Sequence, residues 1–394
     1  MSEPRLSPPA VLFVLPWPIA AIGGVNQVVL NLMRQARQTG ALRPLLLEYA
    51  EEDDQPGTAV PGGAAPIARL RVPLPFAAPH RVRSTLAFLL RLPRTLRSLR
   101  TLLRENRVVL VNVHYPTLAA LHFGALRALA GYRGKLALSF HGVDIRNAKQ
   151  SRGLERLAWL WLLRSADGIV TCSHALGADV LGFDPGCRER LTVIHNGIDP
   201  DVLVARPAGS PPPGRPCSHD YLLSVGTFEQ KKGQDVLLEA FRRLAPLHPE
   251  LHLLLVGRST GYLPALREIA ARHGLEDRVH FHPDIPHEDI APYFAHARAF
   301  CLPSRSEPFG IVVLEAGVFG LPVVASAVGG VTEILRPGVD GTLVPPDDPE
   351  ALSHALHEAL TPGDAVRRRA ASLKSRVLTD FTWRGAFARY LELV

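Results

Sequence analysis

Two hydrophobic rhythms alternate along this chain. Short runs of consecutive apolar residues give way to longer stretches in which apolar positions recur every three or four residues. An unbroken apolar run bounded by turn residues predicts a strand buried on both faces, and the three-to-four spacing marks one face of a helix. The first half supplies strand candidates at 11–15, 45–47, 108–113, 136–139, 169–172 and 192–194, with helical patterns at 26–39, 85–104, 118–129 and 153–164. The second half supplies strands at 221–226, 251–257, 279–281, 299–302 and 322–325, with helices at 235–244, 263–273 and 311–319. Such regular alternation predicts an α/β protein whose parallel sheets are covered by helices on both faces. The stretch 51–79, rich in Gly, Pro and Ala, reads as a long irregular connection.

At 394 residues the chain exceeds what one hydrophobic core usually supports, so two such domains are expected. The natural division is 205–219, where Pro211-Pro212-Pro213 interrupts a stretch without periodic apolar positions. Open α/β sheets bind ligands beyond the carboxyl ends of their strands, so two Rossmann-like domains would turn those ends toward a central cleft. The nearly uncharged run from 8 to 25 has the look of a signal peptide. Pro16 and Pro18 break it, however, and it passes directly into the helical pattern of Val28, Val29, Leu32, Met33 and Ala36. A buried first strand and its loop explain it better. No apolar run free of Pro and charge reaches the roughly 18 residues of a membrane-spanning helix.

Composition, 47% hydrophobic and 21% charged, is that of a soluble globular protein. Cys172, Cys187, Cys217 and Cys301 are scattered with no C-x-x-C spacing, which argues against a disulfide framework or zinc site and fits a reducing cytoplasm. The net charge of +7 is unevenly placed. Arg91, Arg94, Arg97, Arg100, Arg104 and Arg107 recur at helical spacing, with Leu92, Leu96, Leu99, Leu102 and Leu103 on the other side and Pro93 read as a first-turn proline. Two readings stand for this stripe: a solvated outer face, or a basic amphipathic helix on an anionic membrane surface or facing an anionic acceptor. Nucleic acid is not expected as a partner, because no aromatic interleaving or recognised binding module accompanies the charge.

The richest chemistry lies at Glu307-Pro308-Phe309-Gly310-Ile311-Val312-Val313-Leu314-Glu315. Pro308 and Gly310 forbid a helix before Ile311, so Glu307 sits in the loop at a helix mouth and Glu315 about one turn inside. The first amides of a helix have no internal partner and attract phosphate. An ionised glutamate accepts two hydrogen bonds from a vicinal diol. A phosphate site flanked by two such carboxylates matches a nucleotide-sugar, with ribose on one side and hexose on the other.

With Leu302-Pro303-Ser304 before it and Ala316-Gly317 after it, this segment resembles the signature of retaining glycosyltransferases of the GT-B fold, the group 1 family (family 4). Four further segments fit that resemblance. Ile22-Gly23-Gly24-Val25 stands where the family's first-domain loop meets donor phosphate or acceptor. Phe140-His141-Gly142-Val143-Asp144 resembles the strand end carrying the active-site histidine, and His114 is a poorer candidate of the same kind. Gly226-Thr227-Phe228-Glu229-Gln230-Lys231-Lys232-Gly233 resembles the family's G-R-L-x-x-x-K-G, with Lys232 in the lysine position. Thr227 departs from it by replacing the usual arginine, a gap that Lys231 or Arg258 could fill. Gly329-Gly330-Val331-Thr332-Glu333-Ile334 resembles the family's Gly-Gly-x-x-Glu, expected to support the nucleotide pocket. Asp199-Pro200-Asp201 has the D-x-D form that holds a metal in other glycosyltransferases, but after Asn196-Gly197 it reads as turn chemistry.

The resemblance implies a retaining hexosyltransferase with an acceptor domain at 1–204, a donor domain at 220–379, and a last helix at 380–394 returning to the first domain. It assigns His141 and Glu307 to catalysis. Donor binding falls to Gly23, Gly24, Gly226, Lys232, Phe309, Gly310, Ile311, Val312 and Glu315. The co-substrate would be a nucleoside diphosphate sugar and the acceptor a glycan or lipid-linked hydroxyl, with no cofactor and no metal. The stripe at Arg91, Arg94, Arg97 and Arg100 hints at envelope or exopolysaccharide assembly by a cytoplasmic enzyme peripheral to the membrane. The competing readings are a sugar-nucleotide epimerase or phosphorylase on the same architecture, and an inactive sugar-binding scaffold.

Overall fold

The computed structural model describes residues 8–20, 23–49, 67–204 and 220–394. Contacts divide the chain into two compact units, Met1–His195 with Ala386–Val394, and Asn196–Gly385. That division falls ahead of the proline-rich stretch 205–219, which lies outside the described residues, as do Ile22 and Cys217.

The first unit is built on seven parallel strands: β1 (Ala10–Leu15), β2 (Arg43–Tyr49), β3 (Ile67–Leu70), β4 (Val108–His114), β5 (Lys135–Phe140), β6 (Gly168–Thr171) and β7 (Leu191–Val193). They lie in the order β3-β2-β1-β4-β5-β6-β7. Every side chain of Ala-Val-Leu-Phe-Val-Leu in β1 is buried, as an unbroken apolar run in a doubly covered sheet must be. The helix Gly24–Thr39 buries Val28, Val29, Leu32, Met33 and Ala36 and stops at Gly40, whose left-handed backbone (φ 65°) turns its N–H onto the Ala36 carbonyl.

Two expectations are corrected here. The stretch 51–79 is not all irregular, because Ile67–Leu70 forms β3 and pairs in register with Leu46–Tyr49 of β2. Four residues beside Gly- and Pro-rich sequence carry too little periodicity to announce a strand, and the neighbouring edge supplies the missing hydrogen bonds. Pro93 is not in a first turn, because the helix begins at Arg81 and runs to Glu105. The proline removes one internal N–H. Leu89 and Pro93 both lie on the exposed face, where water can take up the freed carbonyl, while Phe88, Thr95, Leu99 and Leu103 hold the inner face in the core. The helices Val143–Gln150, His174–Phe183, Pro349–Leu360 and Asp364–Asp380 were not anticipated.

The second unit has six parallel strands: β8 (Tyr221–Val225), β9 (His252–Gly257), β10 (Val279–Pro283), β11 (Ala299–Leu302), β12 (Val323–Ser326) and β13 (Thr342–Val344). Their order is β10-β9-β8-β11-β12-β13. Numbered within the unit this is 3-2-1-4-5-6, the Rossmann order, and the reversal falls between β8 and β11. Its core joins Leu237, Leu238, Phe241 and Leu244 of one helix to Leu253 and Leu255 of the sheet and Leu352 and Leu356 of another helix. In the first unit the reversal falls between β1 and β4. Ligand sites are therefore expected at the carboxyl ends of β8 and β11, and of β1 and β4.

Three of the four cysteines are described, and Cys172, Cys187 and Cys301 are buried free thiols. Among the described residues no helix is long and apolar enough to cross a membrane.

Candidate functional site

In the second unit, both loops at the strand-order reversal carry the predicted residues. After β8 the chain makes a 3-10 turn, Gln230–Lys232, and leaves it through Gly233 at φ 65°. A Cβ on Gly233 would stand 2.0 Å from the Pro303 carbonyl oxygen, so only glycine lets this loop press against the one after β11. The second loop carries Glu307. Lys232 Nζ donates to Glu307 Oε2 at 2.6 Å, with side-chain exposures of 18% and 10%. The cation expected for the diphosphate and the carboxylate expected for the hexose are thus brought together.

Arg305 ties the two loops. Its guanidinium forks onto Asp235 at 2.8 and 2.7 Å, and its own N–H bonds the Lys231 carbonyl at 2.8 Å. Hydrogen bonding to Asp235 holds its pKa above the ordinary arginine value. Nothing in the sequence marked Arg305 or Asp235, since the pair is 70 residues apart in the chain.

Gly310, at φ 107° and ψ 50°, turns the chain into the helix Ile311–Val318. Ile311 and Val312 in its first turn are half-buried, and Phe309 is buried with its ring edge-on to Phe381 at 5.9 Å. Glu315, inside the helix, is buried and accepts a 2.7 Å bond from His287 Nε2. Burial alone would lower the His287 pKa, but the bond to Glu315 and its charge outweigh it and the value is raised. Sequence reasoning missed His287, which lies in a short turn with no periodic signal.

Gly329 supports Glu307 from behind. With φ 49° and a virtual Cβ 2.0 Å from the Glu307 carbonyl oxygen, it admits no side chain, and Gly330 N–H bonds that same oxygen at 3.1 Å. Gly226 bonds back to Val256 at 2.9 Å and lies under the Lys232 stem. Thr227 is half-buried, and its carbonyl accepts from Gln234 Nε2 at 3.0 Å. The two suggested substitutes for the missing arginine are both drawn to Glu229, Lys231 at 2.6 Å and Arg258 at 3.9 Å.

In the first unit, Gly23 caps the helix that follows β1, and Cβ atoms on Gly23 or Gly24 would meet nothing within 4 Å. Packing among the described residues does not demand these glycines. His141 follows β5. Its N–H and that of Gly142 each bond a carboxylate oxygen of Asp144 at 2.7 Å, and Ile145 N–H adds a third bond at 2.8 Å. Burial raises the Asp144 pKa to about 6 against the downward pull of these bonds. Burial also lowers His141 to about 4, so its imidazole is neutral near pH 7. His141 Nε2 lies 3.1 Å from Nδ1 of His114, the last residue of β4.

Asp199 behaves as turn chemistry, its carboxylate accepting from Val202 N–H at 3.3 Å to cap the short helix Pro200–Val204. Within either unit taken by itself, the described residues bring no three His, Cys, Asp or Glu ligand atoms within 4.8 Å of one another.

A Rossmann-ordered sheet with a lysine, a glycine turn and two glutamates at its reversal places this unit among the open α/β folds that bind ligands at a topological switch point. The sequence profile described as "Glycosyl transferases group 1" matches residues 210–374, and that of "Glycosyltransferase Family 4" matches 22–202. The chain belongs to this family of GT-B glycosyltransferases.

Among curated relatives, glycogen synthase of Mycobacterium tuberculosis is 34% identical over 57% of this chain and 52% of its own length. D-inositol 3-phosphate glycosyltransferase of Xylanimonas cellulosilytica is 30% identical over 59% and 57%. The chain thus spans about half the length of the curated relatives it matches. Two solved structures share the fold. Sucrose-phosphate synthase from Thermosynechococcus elongatus superposes with a TM-score of 0.74 at 22% identity, covering 98% of each chain. Anabaena HepE in complex with UDP and glucose gives 0.74 at 20%, covering 97% of this chain and 98% of its own.

Proposed function

We propose that this protein transfers a hexose from a nucleoside diphosphate sugar to a hydroxyl of a glycan or lipid-linked acceptor, with retention of anomeric configuration. The observation that carries the reading is the Lys232–Glu307 contact at the β8/β11 reversal. Breaking the anomeric C–O bond sends its electron pair to the diphosphate and leaves a cationic sugar. Lys232 and the amino end of the Ile311–Val318 helix stabilise the departing charge. Glu307 holds the hexose hydroxyls, Glu315 the ribose, and His141 the sugar near the reacting carbon. The acceptor oxygen then bonds to the anomeric carbon on the same face, and its proton passes to a diphosphate oxygen. A lysine and a helix end supply the positive charge that a metal supplies elsewhere, which supports metal-free transfer.

The acceptor is proposed to lie at an anionic membrane surface, in envelope or exopolysaccharide assembly on the cytoplasmic side. The helix Arg81–Glu105 exposes Val82 (75%), Leu86, Leu89 and Leu90 (81%), followed along the same helix by exposed Arg94, Arg97 and Arg100 with Arg91 half-buried beside them. Arg81 donates to Glu155 at 2.9 Å, linking it to the helix Gly153–Ser165, which exposes Leu154, Leu157 and Trp161. Apolar side chains beside arginines suit an acyl and phosphate boundary.

The test is a screen of UDP-, GDP- and ADP-sugars for hydrolysis and transfer with excess EDTA, followed by NMR of the product's anomeric proton. Turnover with retention is expected. Inversion, or activity lost with chelator and restored by Mn²⁺ or Mg²⁺, would overturn this mechanism.

A further inference from the structure

His114, the poorer of the two histidine candidates in the sequence, is fully buried, and the reaction described above gives it no part. It closes β4 opposite Ser139 of β5, and its ring lies among those of Phe13 at 5.9 Å, Tyr390 at 6.2 Å and His141 at 5.3 Å. Tyr390 arrives from the helix Trp383–Leu391, so three separate parts of the first unit hold this imidazole in place. Its Nδ1 meets His141 Nε2 at 3.1 Å, while its Nε2 is buried without a hydrogen-bond partner among the described residues.

That asymmetry selects a proton arrangement. A neutral imidazole carries one N–H and one lone pair. A proton on His114 Nε2 would bury an N–H with no acceptor, whereas a proton on Nδ1 buries only an unused lone pair. Orphaned buried donors are the rarer and costlier of the two. Burial, reinforced by His141, keeps His114 well below the ordinary imidazole value, which removes the doubly protonated form near neutral pH. His114 Nδ1–H is then the donor, and His141 Nε2 must accept.

We propose that His114 is a positioning residue that fixes His141 as its Nδ1–H tautomer, so that the His141 ring offers a hydrogen-bond donor, and not a lone pair, to the bound sugar. The proposal rests on the reading that His141 touches the substrate. A donor at Nδ1 suits a hydroxyl or phosphate oxygen and cannot act as a general base. This agrees with a reaction in which the leaving diphosphate takes the acceptor's proton.

Two measurements on the full chain test it. Two-bond ¹⁵N–¹H spectra of histidine-labelled wild-type protein, assigned with His114→Gln and His141→Gln, should show His141 protonated at Nδ1 and bare at Nε2. A His141 protonated at Nε2 would overturn the proposal without recourse to activity. In kinetics, His114→Leu should lower kcat by about ten- to a hundredfold, the scale on which loss of a histidine-orienting partner acts. The donor KM should change little. His114→Asn, whose amide N–H stands where Nδ1–H stood, should recover most of the loss. A folded His114→Leu protein with unchanged kcat, or an asparagine variant no better than leucine, would sink the positioning role. If His141→Ala keeps wild-type turnover while the wild-type spectrum shows the Nδ1–H form, the functional reading of His141 fails and the tautomer assignment survives.

Discussion

Lys232 and Glu307 make their sharpest prediction when nucleoside diphosphate is bound without its sugar. Replacing Lys232 with Ala removes a charge-assisted contact of ~1.5–3 kcal/mol, so affinity should fall about ten- to a hundredfold. Replacing Glu307 with Ala should act the other way. Its carboxylate stands 2.6 Å from the lysine nitrogen, so it neutralises the cation that the diphosphate needs and adds a negative charge beside it. At an effective dielectric of ~20, a unit charge about 5 Å away is worth roughly 3 kcal/mol. Residual solvent contact and ionic screening reduce that to about 1–2 kcal/mol, or a roughly tenfold gain in diphosphate affinity. Turnover should nevertheless fall in both variants, by about tenfold or more for Glu307→Ala, because the hexose loses its hydroxyl acceptor. Isothermal titration of UDP, GDP and ADP against wild type and both variants, with donor hydrolysis rates alongside, separates the effects. If both substitutions weaken diphosphate binding alike, the ion pair does not sit at the phosphate, and the assignment of these residues is refuted.

Four further outcomes follow from the structure. Gly23→Ala should leave the melting temperature nearly unchanged, because its Cβ meets nothing, yet lower ligand affinity if substrate approaches the backbone there. Gly329→Ala should cost ~1–3 kcal/mol in backbone strain alone and displace Glu307, lowering both the melting temperature and turnover. The raised His287 value means that its bond to Glu315 adds stability below the ordinary imidazole range and loses it as pH rises through the raised value. The melting-temperature gap between wild type and His287→Gln should therefore be wider at about pH 5.5 than at about pH 9, and a gap that widens with pH would contradict the sign. Wild-type protein should co-sediment with anionic vesicles at low salt, each arginine near the surface contributing ~1 kcal/mol. Arg94, Arg97 and Arg100 changed together to Gln should release it without loss of donor hydrolysis, and absence of wild-type binding would leave only a solvated face.

The sheets were legible because their strands announce themselves. Ala10–Leu15 and Val108–His114 are nearly continuous apolar runs that nothing but a covered strand explains. Ile67–Leu70 was not legible, since its identity as a strand comes from the edge of β2. Pro93 misled for a similar reason: a local breaker signal was overridden by packing of Phe88, Leu99 and Leu103 on either side of it. In the site, Glu307, Gly310 and Glu315 could be placed relative to one helix because they are neighbours in sequence. The partners that define their electrostatics could not. Lys232 pairs with Glu307 across 75 residues, His287 with Glu315 across 28, and His114 with His141 across 27. Each pairing depends on which strands lie side by side, a property that no single segment encodes.

The helix that brings Tyr390 against His114 has a consequence for how the protein is made. The first unit contains Ala386–Val394, and Leu393 comes within 3.2 Å of the position a Gly168 Cβ would take. Between these pieces the ribosome must produce the whole of Asn196–Gly385. At ~5–20 residues per second, that interval lasts roughly 10–40 s. Throughout it the first unit lacks Ala386–Val394, and the flank of His114 that Tyr390 covers is open. His114 is thus packed by residues translated after the whole of the second unit, and a chain stalled or cleaved before Tyr390 has a first unit without that flank.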